Sequence, residues 1–128
     1  MKTIGSLIVV FLLTLAFSAA PARAQEAPPE AKEAMLAMIT AIIEQNRSAF
    51  VANATDELKE GLTEEAFTEV VEQISPVLKK GFKTRYLGSM KQQGFHVHLW
   101  VLTIRGEEDE MLGTLSMKNG AVGGFYLE

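Results

Sequence analysis

At Gly81 the apolar period of this chain changes from 3.6 residues to 2, which confines the fold to one with helices and strands in separate blocks. Before that point, Met35, Met38, Ile39, Ile42 and Ile43 recur at spacings of three and four and predict a helix from Ala31. A second helical segment, over about Arg47 to Glu60, carries Phe50, Val51, Ala54, Leu58 and Leu62 in register and breaks near Gly61. Thr63 is the N-cap expected for a third, with Glu64 and Glu65 in the first turn and Phe67, Val70, Val71, Ile74 and Leu78 as its apolar stripe. Pro76 is expected to kink or restart that helix, and Lys79, Lys80 and Gly81 to close it.

Beyond Gly81 the alternation predicts four strands, at about Phe82 to Met90, Phe95 to Arg105, Glu110 to Met117 and Ala121 to Leu127. Gly94, Gly106 and Asn119-Gly120 supply the turns, and the last requires positive φ at both positions. With that hairpin set, strict alternation places Lys118 opposite Ala121, Met117 opposite Val122, Leu115 opposite Gly124 and Thr114 opposite Phe125. The expected fold class is α+β, with N-terminal helices packed on one face of a curved four-stranded antiparallel meander. The strand from Phe95 is apolar on both faces, Phe95, Val97, Leu99 and Val101 against Trp100, Leu102 and Ile104. It must therefore be central, its second face covered by curling around a cavity or by a second subunit.

Residues 1–24 read as a cleavable export signal. Lys2 precedes an apolar stretch from Ile4 to Phe17, and Ala22 and Ala24 provide an A-x-A site. Residues 25–30, with Pro28 and Pro29, form a short leader, and residues 31–128 a single domain. Loss of Lys2 and Arg23 leaves sixteen acids against ten bases, a net charge of about −6 that opposes attraction to nucleic acid or anionic membranes. The chain has no cysteine, which excludes disulfides and a lipid-modified Cys at the cut. The expected location is periplasmic or extracellular, with no stable membrane anchor after cleavage.

The order of elements, with helices through Thr63 to Gly81 and a terminal meander holding Leu99-Trp100 and Gly123-Gly124-Phe125, resembles the cystatin-like cone superfamily of nuclear transport factor two and ketosteroid isomerase. It looks most like that superfamily's small secreted members of unknown function. The resemblance implies a strongly bent sheet, a pocket in the cone, dimerisation through the sheet, and exported or accessory domains without chemistry of their own. It also implies the isomerase template, an Asp base with Tyr and protonated Asp donors in an apolar cavity. Here Asp56 and Asp109 are the only aspartates and lie in charged surroundings, so Tyr86 or Tyr126 as donor and His98 as base are what remains of a lyase or isomerase.

His96 and His98 share a face, but a zinc site needs a third ligand and no third His or any Cys exists, so no metal or other cofactor is expected. Ser89 lacks the G-x-S-x-G elbow. Gln92-Gln93-Gly94 does not match the hairpin of inhibitory cystatins. Lys79, Lys80, Lys83, Arg85 and Lys91 form a basic region around the first strand, most simply a solvated face. The leading expectation is a non-enzymatic exported domain that binds an unidentified protein or a small apolar ligand, and forms a homodimer through its sheet. Tyr86, His98, Trp100, Leu102 and Phe125 are the residues expected to line its site.

Overall fold

The computed structural model describes residues 26–128. The export signal expected at residues 1–24 lies outside the described residues. Four helices are followed by four strands: α1 (Pro29–Ile43), α2 (Arg47–Phe50), α3 (Asp56–Gly61), α4 (Glu64–Leu78), β1 (Phe82–Gln92), β2 (Phe95–Ile104), β3 (Met111–Lys118) and β4 (Ala121–Leu127). The strands form one open antiparallel sheet in the order β1-β2-β3-β4, so β2 is internal as its two apolar faces require. No helix among the described residues is long and apolar enough to cross a membrane.

The α1 helix starts at Pro29, two residues earlier than the periodicity predicts, because a proline in the first turn costs no helical hydrogen bond. It buries Ala31, Met35, Met38, Ile39 and Ile42 against a core that includes Trp100, Leu102, Ile104, Leu115, Met117 and Val122. The expected second helix is two. Between α2 and α3 the backbone leaves the helical path to pair with the sheet: Val122 N–H donates to Asn53 O and Thr55 N–H to Val122 O, both at 2.8 Å. Thr55 then caps α3, its Oγ1 accepting from Leu58 N–H.

In α4, Thr63 caps as expected, accepting from Ala66 N–H at 3.1 Å. The helix does not restart at Pro76 but runs on to Leu78. The proline's missing N–H falls in the last turn, where only one intrahelical bond is lost. Ser75, fully buried beside it, donates to Ile43 O at 3.2 Å and ties α4 to the end of α1.

Two bulges adjust the sheet. Leu87 is an extra residue in β1, between the pairs Tyr86–Trp100 and Gly88–Leu99. Gly123 is an extra residue in β4, and past it the register differs from strict alternation: Ser116 pairs with Gly124, Leu115 with Phe125 and Thr114 with Tyr126. The ring of Phe95 lies against Gly123, where any Cβ would overlap it. A bulge turns the following side chains to the opposite face. Phe125 is thereby moved from the outer face, beside Thr114, to the helix side beside Leu115.

Candidate functional site

The helices hold more apolar surface than the core consumes. In α4, Phe67, Val71 and Leu78 are buried, but Val70 on the same stripe remains 51% exposed. The surplus lines a groove of about 450 Å³ between α4, α3 and the free edge of β4. Phe50, Leu58, Phe67 and Val70 wall it on the helical side, and Phe125 and Leu127 on the strand side. Phe50 anchors the inner end, its ring 5.3 Å from Phe67 and 6.3 Å from Phe125. Among the lining residues only Tyr126 and Glu128 carry ionisable side chains.

The outer wall is held by one side chain. Arg47 donates from Nε and Nη2 to Leu62 O at 2.9 and 2.7 Å, and from Nη2 to Lys59 O at 2.8 Å. These carbonyls belong to the end of α3, where helical partners run out. Arg47→Lys, which keeps the charge but loses the planar fork, is expected to cost about 1–3 kcal/mol in a denaturant melt.

The five residues expected to form the site do not come together in one cavity wall. Trp100 is 2% exposed and Leu102 fully buried, so both are core. Phe125 lines the groove. Tyr86 and His98 pair with each other, Oη to Nδ1 at 3.0 Å, and with Trp100 form a cluster of rings whose centroids lie 5.3 to 6.0 Å apart. His98, with His96 and Glu30, lines a separate shallow depression of about 310 Å³. No cluster of three metal-ligating side chains occurs among the described residues.

Burial holds the His98 imidazole below its ordinary 6.5, with nearby His96 adding to the depression and Glu30 opposing it. The neutral ring pairs with the Tyr86 hydroxyl through Nδ1, donating or accepting according to its tautomer. The unfolded chain takes up a proton at residue 98 near pH 6.5, whereas the folded chain does so only at lower pH. Stability is therefore retained above pH 6.5 and falls below it until the folded value is passed, with a slope of at most one proton per molecule. Denaturant melts of the wild type and His98→Gln, from about pH 5 to 7.5, should give a stability difference that bends below 6.5. A difference independent of pH would contradict this account of His98.

The groove residues were legible only as helix stripes, because Phe50, Leu58, Phe67, Val70 and Ile74 sit at core spacing. The signal that distinguishes them is excess: two short helices and α4 carry more apolar positions than one sheet face can cover. Together the described residues define an α+β domain with helices on one face of an open sheet and an apolar groove at its edge. Set against known proteins, the chain matches no family model, no curated protein by sequence and no solved structure by shape.

Proposed function

We propose that this protein is an exported, non-enzymatic binding domain whose ligand is an apolar molecule or partner segment seated in the groove between α4 and β4. The observation that carries the reading is Val70, an apolar side chain half exposed on the core stripe of its helix and facing a concave wall of Phe50, Phe67 and Phe125. A pocket of a few hundred Å³ with apolar walls and few polar groups is the usual form of a binding site. Export rests on the apolar run and A-x-A pattern of residues 4–24, and periplasmic or extracellular release follows from cleavage there. Kinship to the cystatin-like cone superfamily belongs to the same proposal. It is supported by the meander order and by the bulges at Leu87 and Gly123, each of which bends a strand.

The lyase or isomerase reading is the weaker one. Its base and donor, His98 and Tyr86, satisfy each other beside the core, and the apolar groove lies along β4 instead. Titration with Nile red, a neutral apolar dye, tests the binding reading. We expect a saturable rise in emission at one dye per protein, reversed by an unlabelled apolar competitor. Emission that rises linearly without saturation would contradict it.

A second copy of the chain on the outer sheet face is also proposed. Among the described residues no helix covers that face, and beside the exposed Arg85 opposite Val101 it presents apolar and aromatic side chains: Leu99 and Val101 are half-buried and Met90 and Tyr126 more than half exposed. Sedimentation should show a dimer that Leu99→Lys converts to a folded monomer. A wild-type monomer at high concentration would remove this part of the proposal.

A further inference from the structure

The strand side of the groove is a backbone edge as well as an apolar wall. β4 ends the sheet. Glu128 and Leu112 exchange both main-chain hydrogen bonds, Leu112 N–H to Glu128 O at 2.7 Å and Glu128 N–H to Leu112 O at 3.0 Å. In an antiparallel ladder such pairs alternate, so Tyr126 and Gly124 also direct their main-chain groups toward β3. Phe125 and Leu127 direct theirs away from the sheet, and among the described residues no backbone bond outside the ladder uses them. Before the bulge, Val122 faces outward too, and there the chain itself takes up the edge through Asn53 and Thr55. The protein thus adds one residue of a fifth strand from its own α2–α3 connection, then turns into α3 and leaves the rest of the edge open.

The free groups at Phe125 and Leu127 are two residues apart, about 7 Å along a strand, the repeat of an incoming extended chain. Every second side chain of such a chain would point into the apolar groove and the others to solvent. The helices that border the groove favour one sign of charge for them. Helices α3 and α4 carry Asp56, Glu57, Glu60, Glu64, Glu65, Glu69 and Glu72, all exposed, against Lys59 and the Arg47 guanidinium that binds the end of α3. Glu128 adds to the same sign at the strand end.

We infer that the occupant of the groove is an extended segment of another protein, with apolar and basic residues in alternation, that adds to β4 as a further strand. This rests on the groove being the binding site. Strand addition draws affinity from main-chain hydrogen bonds and specificity from alternate side chains.

The test uses protein purified from cells expressing the full chain and three hexapeptides. One alternates lysine with leucine, one is the same peptide N-methylated at the three leucines to remove their main-chain donors, and one has glutamate in place of lysine. The first should bind, and should slow amide hydrogen exchange at Phe125 and Leu127 above all. The N-methylated and glutamate peptides should each bind about tenfold more weakly or worse. Equal binding of the N-methylated peptide overturns strand addition while leaving an apolar groove in place. Equal binding of the glutamate peptide overturns the basic occupant. Failure of both the first peptide and Nile red overturns the groove reading itself, whereas failure of the peptide alone overturns only this inference.

Discussion

Trp100→Ala is expected to cost about 3–5 kcal/mol, the usual loss for truncating a buried tryptophan. Trp100 is 2% exposed, opposite Tyr86 on β1 and Gly113 on β3, at the centre of the face that the helices cover. A single domain holds only about 5–15 kcal/mol in all, so the variant should be partly unfolded at ordinary temperature. Trp100 is also the only tryptophan, which makes the wild type its own reporter. Its emission should be that of a dry indole and should not change when the groove is filled. A fully folded Trp100→Ala protein, or wild-type emission quenched by iodide, would show that the residue lines an accessible site, as the sequence alone leads one to expect.

Val70→Lys should have the opposite signature, a large effect on binding and almost none on stability. Val70 is 51% exposed, so little packing is lost, and lysine is the better helix former at an exposed position. The ammonium replaces an apolar wall of the groove. Removing that contact and placing a charge there should weaken an apolar ligand by about 1–3 kcal/mol, a tenfold to hundredfold rise in Kd. Isothermal titration beside a denaturant melt measures both halves. Unchanged affinity in a stably folded variant would move the site elsewhere.

How these two residues were read from the sequence shows where alternation and periodicity carry information. Alternation could not tell core from cavity for Trp100 and Leu102, expected to line a site and found in the core, but Met35, Ile39 and Ile42 were identifiable as buried because they share one face of a helix whose ends are polar. The separation of helices and strands at Gly81 and the turn at Asn119-Gly120 were equally legible, since Asn119 (φ 52°) and Gly120 (φ 80°) adopt the backbone their residue types allow. The bulge at Gly123 was not. Two successive glycines present no side chain, so alternation is silent at the one place where the register slips, and the reading carried Phe125 to the wrong face.

The break between α2 and α3 was hidden for a different reason. Val51, Ala54 and Leu58 keep helical spacing, and only the edge of β4, more than sixty residues away, draws Asn53 to Thr55 into a bridge. Arg47 gave no signal at all, because a cation that caps a neighbouring helix looks like any surface base. The groove follows from these long-range events. A bulge re-aims Phe125, a bridge shortens the helix that would have covered the edge, and an arginine holds the remaining turn in place. None of them has a local pattern.

Amide chemical shifts, assigned on the free protein and followed while Nile red is added, test the central claim most directly. The account predicts that shifts concentrate at Phe50, Phe67, Val70, Phe125 and Leu127, with Met90, Leu99 and Val101 on the outer face unmoved. Shifts confined to the outer sheet face, or to His96 and His98, would contradict it.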